Sequence, residues 1–134
     1  MDLFKQINTH KYLDLVQVEQ DAASNLIVRI DEARPLEEGE SEGVLKRYRV
    51  TFNDYVAYSI RDESFTQWDE YEKFDGVLFR KYSNSRFLDY LYFSTNIWIV
   101  EQIRESTPDH FGAVCLNHLL DVALCGSPII EEID

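Results

Sequence analysis

The segment HFGAVCLNHLLDVALC (110–125) carries two of the three histidines and both cysteines of the chain. Three chemistries fit those residue types. A helix over 117–125, capped by Asn117 and stopped by Gly126 and Pro128, would put His118, Asp121 and Cys125 on one face at i, i+3 and i+7, a metal-ligand spacing. Cys115 beside His110 or His118 would be a nucleophile with its base. The third reading is a buried strand. Alternation places Phe111, Ala113 and Cys115 on one face and Val114 and Leu116 on the other, so both faces are apolar and the strand is central. A return through Asn117-His118 then sets Cys115 opposite Leu120 and His110 opposite Cys125. The two thiols end on opposite faces roughly 16 Å apart, too far for a disulfide or a shared zinc. A thiol among apolar neighbours is inert. The expectation is a structural Cys115, with no catalytic residue, no metal ligand and no cofactor assigned.

Other reactive patterns are missing. The five glycines never form GxGxxG or GxxxxGK, and HExxH, CxxC and GxSxG do not occur. Acidic pairs such as Asp62-Glu63 and Asp69-Glu70 follow from a composition holding 25 acidic residues. The aromatic run Tyr82, Phe87, Tyr90, Tyr92 and Phe93 could line a ligand pocket, but a helix packed on a sheet explains it more simply.

The elements that would position these residues read as follows. LVQVE (15–19) and LIVRI (26–30) are β-branched and short, so both are strands. PLEEGESEG (35–43) cannot bury a face and is expected to be a solvated, mobile loop. VLKRYRVTF (44–52) and YVAYSIR (55–61) flank Asn53-Asp54, the signature of a two-residue hairpin. That hairpin would set Phe52 opposite Tyr55, Val50 opposite Ala57 and Arg49 opposite Tyr58. SFTQWDEYEKFDG (64–76) has capping-box spacing and a glycine stop, predicting a short helix. A second helix should begin near Ser83 or Ser85, with Phe87, Tyr90 and Leu91 on one side. TNIWIVEQIREST (95–107) fits a helix through Ile97, Val100 and Ile103, or a buried strand through IWIV.

The totals bound the function. A chain of 134 residues, 45% hydrophobic, is one globular domain spanning 1–134. Thirteen basic against 25 acidic residues give a net charge of −12, which disfavours nucleic acid and anionic membranes as partners. MDLFKQINTHKYLDL lacks the apolar run of a secretion signal, no window suits a membrane span, and two cysteines make no disulfide scaffold. A reduced, cytoplasmic protein is expected.

Three stretches, YVAYSIRDESFTQWDEYEKFDG (55–76), YSNSRFLDYL (82–91) and HFGAVCLNHLLDV (110–122), resemble a group of small bacterial proteins, few of them characterised. Some of that group look like immunity proteins of polymorphic toxin systems. The resemblance covers roughly residues 44–130 and implies a fold and a protein partner rather than a reaction. The combined expectation is an α+β protein, with a mainly antiparallel sheet of about six strands and one or two helices against it. Its function would be protein binding, of the toxin-neutralising kind, through an acidic surface facing a toxin with a basic surface. Candidate contact residues are Glu37, Glu38, Glu40 and Glu42 in the acidic segment, and Asp69, Glu70 and Glu72 on the expected short helix. The EEID terminus is a further acidic surface. The alternative is a small-molecule-binding or enzymatic protein using a pocket between the 83–93 helix and the sheet.

Overall fold

Strands whose alternate residues are apolar bury one face only when a second layer covers it. Here two antiparallel sheets cover each other. The computed structural model describes residues 2–34 and 45–134. The first sheet has the order β1-β2-β3-β9, made of Tyr12–Gln20, Leu26–Ala33, Arg47–Phe52 and Ile129–Ile133. The second has the order β4-β8-β7-β6-β5, made of Ala57–Asp62, His118–Leu124, Asp109–Val114, Phe79–Asn84 and Lys73–Gly76. Leu26, Val28, Ile30, Tyr48, Val50 and Phe52 of the first sheet meet Phe79, Phe111, Ala113, Leu120, Val122 and Leu124 of the second in one core. Each such Val, Leu, Ile or Phe side chain contributes roughly 1.5–3 kcal/mol by leaving water.

Helices form the third layer. α2 (Arg86–Ser94) begins at Ser85, whose hydroxyl accepts the Leu88 N–H at 3.0 Å. α3 (Ile97–Arg104) follows at once and ends on Glu105 in the left-handed region. Together they place Leu91 and Ile97 over Ala123, on the side of the second sheet that faces away from the first. The short α1 (Leu3–Ile7) inserts Ile7 into the core. Asn8 then ties it to the turn before β6: its Oδ1 accepts the N–H groups of Val77, Leu78 and Phe79 at 2.8–2.9 Å.

The protein is therefore α+β and antiparallel, as its sequence predicts. The described residues hold nine strands in two sheets, rather than six in one, and three short α-helices. Strands at 15–19 and 26–30, the central strand from His110 and the helices from Ser85 and Ile97 all form. Residues 118–124 are a strand, not a helix, but the register differs by two: Ala113 faces Leu120 and His110 faces Ala123. The two-residue slip keeps every side chain on its expected face.

Two expectations fail. Asn53-Asp54 does turn, with Asp54 at φ 51°, yet its flanking strands do not pair. β3 lies between β2 and β9, and β4 pairs with β8, so the turn carries the chain from one sheet to the other. Local turn chemistry is satisfied by either path; burying Val50 and Phe52 between layers decides it. Arg49 meets Glu131 at 3.2 Å instead of Tyr58. The second failure is the helix over 64–76, which exists only as a 3-10 turn at Glu63–Phe65 capped by Asp62, followed by an irregular segment and β5. Its sequence offers no apolar stripe that a second layer covers: Phe65 and Trp68 stand in solvent. The acidic segment 35–43 lies outside the described residues.

Candidate functional site

On the side of the second sheet away from the first, rows run across the strands. Tyr82, His110, Ala123 and Ala57 form one row, and Arg80, Gly112, Asp121 and Ser59 form the next. The small residues Ala123 and Gly112 leave His110 free to reach diagonally to Asp121. A Cβ on Gly112 would stand 3.0 Å from the Tyr82 ring and 3.3 Å from the Leu120 carbonyl, so glycine keeps this crossing uncrowded.

The result is a buried polar chain. His110 Nε2 lies 2.7 Å from Asp121 Oδ1, and His110 Nδ1 lies 2.6 Å from Ser85 Oγ. With Asp121 ionised, Nε2 carries the proton and donates to the carboxylate, while Nδ1 accepts the Ser85 hydroxyl. Ser85 in turn accepts the Leu88 N–H, so the hydroxyl, both ring nitrogens and Asp121 Oδ1 all have partners. The His110 ring is 1% exposed; it stacks on Tyr82 at 4.0 Å between centroids and meets Phe87 at 5.1 Å.

These residue types are those of a nucleophilic triad, but their order relative to solvent is inverted. Ser85 is sealed beneath the start of α2. Asp121 is the member that borders a cleft of about 610 Å³, lined by Ser59, Arg61, Trp68, Arg86, Phe87 and Tyr90 among others. Asp121 Oδ1 is taken by His110. Among the described residues its Oδ2 accepts no hydrogen bond; it forms an ion pair with Arg61 at 3.9 Å, beyond hydrogen-bonding reach. The three residues thus hold a carboxylate steady at the cleft, and Ser85 does not reach it.

The 63–72 segment makes the outer wall. Phe65 and Trp68 are 84% and 79% exposed there. A smaller adjoining cavity of about 200 Å³ continues beneath the segment toward Phe74, Arg80 and Leu119. Asp69 anchors this wall: it accepts from Arg86 at 2.9 Å and from the Tyr71 N–H at 3.0 Å, and the Arg86 contact holds its carboxyl below the usual range. The Arg86 guanidinium lies over the Tyr71 ring at 4.0 Å.

Asp69 is thus committed to structure, Glu70 faces solvent and Glu72 borders both cavities. Glu37, Glu38, Glu40 and Glu42 lie outside the described residues. The acidic terminus is strand β9, where Glu131 pairs with Arg49 and Glu132 with Lys46. Of the aromatic run, Tyr82 is buried, whereas Tyr90, Tyr92 and Phe93 are exposed, contrary to the core packing expected of them. Cys115 is buried as expected, and burial pushes its thiol up to about 12, with the Asp14 charge adding to it. Cys125 is half-buried beside the Ser106 carbonyl. No metal-like group of three ligands occurs among the described residues, and none of their helices is long and apolar enough to cross a membrane.

The Ser85–His110–Asp121 chain was missed in the sequence. One signal was present: Asp121 interrupts the apolar run LLDVAL, and a carboxylate there needs a partner. Compared with protein-family models, curated proteins and solved structures, the chain gives no significant match.

Proposed function

We propose that this chain is a protein-binding module without catalytic action, and that its recognition face is the cleft between α2 and the 63–72 segment. One observation carries the reading. Phe65 and Trp68 stand almost fully in water on the rim of a cleft floored by Arg61 and Asp121. Exposed tryptophan beside arginine and a held carboxylate is the composition of an interaction hot spot, and large exposed aromatics are costly to keep without a partner. Glu70, Glu72 and the net charge of −12 supply a field that steers a basic partner. A toxin-neutralising role is the form of this reading that the sequence resemblance supports.

The test is capture from the native host with a photo-crosslinking residue at position 68, compared across ionic strength. The reading predicts one partner, recovered less well at high salt and lost when Phe65 and Trp68 are both changed to serine. Equal recovery by that double variant would place recognition elsewhere.

A second reading has its own observation. The cleft lies where a pocket between the 83–93 helix and the sheet was expected, with convergent polar groups at Arg61, Asp121 and Ser59. A small molecule co-purifying with the parent, and no crosslinked protein, would favour it.

A further inference from the structure

We propose that the Asp121 carboxylate is the anchor for a basic side chain, an arginine or lysine, of the protein partner. The inference rests on the binding-module reading and names the chemistry of its central contact. Asp121 is 6% exposed, and the one carboxylate oxygen that accepts no hydrogen bond among the described residues is the one that still reaches solvent, where an incoming donor can meet it. His110 donates to Oδ1, and Ser85 fixes the ring that does so. Oδ2 receives no hydrogen bond among the described residues and borders the cleft.

The two cleft arginines do not fill that role. Arg86 is held by Asp69 and lies over Tyr71. Arg61 directs its Nε to Thr66 Oγ1 at 3.3 Å and keeps its nearest nitrogen 3.9 Å from Oδ2. An incoming guanidinium or ammonium would complete the carboxylate's hydrogen bonding, which neither a carboxylate nor an aliphatic group can do. Phe65, Trp68, Phe87 and Tyr90 line the same cleft and favour a cation over a neutral polar group. The lining charges, Asp69, Glu72 and Asp121 against Arg61 and Arg86, leave it net negative within a chain of −12.

The experiment titrates N-acetyl-arginine amide and N-acetyl-lysine amide into the isotopically labelled full chain and follows backbone and indole resonances. N-acetyl-glutamine amide and N-acetyl-glutamate amide are the neutral and anionic controls. Saturable shifts at Trp68, Arg61 and Asp121 with the basic probes, at roughly millimolar affinity, support the proposal. Asp121→Asn retains an acceptor for His110 and removes the charge, so it should weaken binding about tenfold or more. Should that variant not fold, Arg61→Met decides: removing the competing cation should tighten the basic probes several-fold, and unchanged or weaker binding overturns the proposal. Absence of saturable shifts, undiminished binding by a folded Asp121→Asn, or preference for the glutamate probe would each overturn it as well. Partner capture that depends on Trp68 while the basic probes fail sinks this inference alone. Probes that bind where no protein is captured sink the module reading and leave the cation site standing.

Discussion

The two faces of the β7–β8 pair come from alternate residues of the same strands, yet they are built on opposite chemistry. Toward the first sheet stand Phe111, Ala113, Leu120, Val122 and Leu124, with Cys115 just beyond the strand, all apolar and all in the core. Toward the helices stand His110, Gly112, Asp121 and Ala123, a buried polar chain crossing two small residues. The difference follows from what each face meets. A flat sheet offers apolar side chains and no spare donors, because its backbone is paired within its own ladder. A helix start offers Ser85, whose hydroxyl caps the Leu88 N–H and meets His110, and the layer beside it is incomplete, leaving a cleft.

The comparison breaks first on the inner face. Phe111→Ala should cost about 3–5 kcal/mol, read as a lower urea midpoint, because no neighbour can refill the volume between two sheets. A loss near 1 kcal/mol would mean that the inner face is not close-packed. Cys115 sharpens the same point through pH. Its thiol is held protonated to about 12 in the folded state, against 9.0 ordinarily. Above pH 9 the unfolded chain therefore releases a proton that the folded chain keeps. Stability should fall by roughly 1.4 kcal/mol per pH unit from this group alone. Subtracting the alkaline unfolding curve of Cys115→Ala isolates that slope; identical curves would show that Cys115 is hydrated.

On the outer face the costs should be smaller and coupled. Asp121→Ala strips the His110 N–H of its acceptor and should cost about 1–3 kcal/mol. Combined with His110→Leu, the loss should be less than the sum of the two single changes, measured as a double-mutant cycle. Strict additivity would mean that the pair does not act as a unit. Ser85→Ala removes the helix cap and the partner of Nδ1, with an expected loss of about 1 kcal/mol in thermal or urea unfolding. Smallest of all is Trp68→Ala, which should change stability by no more than about 0.5 kcal/mol while weakening partner capture, since the ring covers nothing.

Much of this was legible in the residues themselves. Short β-branched runs identified β1 and β2, the apolar residues on both faces around Cys115 announced the central strand β7, and Ser83 or Ser85 ahead of RFLDYL announced a capped helix. These are period and cap signals, and they depend on neighbours within about one turn or one pleat. The helix expected at 64–76 had its caps but no face to bury, which is why caps alone misled there.

What the sequence by itself determined is the α+β class, the faces of β7 and β8, the burial of Cys115 and the acidic balance. Only the tertiary structure decided which strands are neighbours. Asn53-Asp54 can turn on either path, but only Asp54 enters the left-handed region, whereas a two-residue hairpin asks it of Asn53 or of both, and the sequence alone does not fix those dihedrals. The same holds for the cleft. His110, Asp121, Arg61 and Ser85 lie up to 60 positions apart in the chain (61 to 121), and no local rule relates them. They meet because the β7–β8 register places Gly112 and Ala123 where a histidine must cross, and because α2 starts above that crossing.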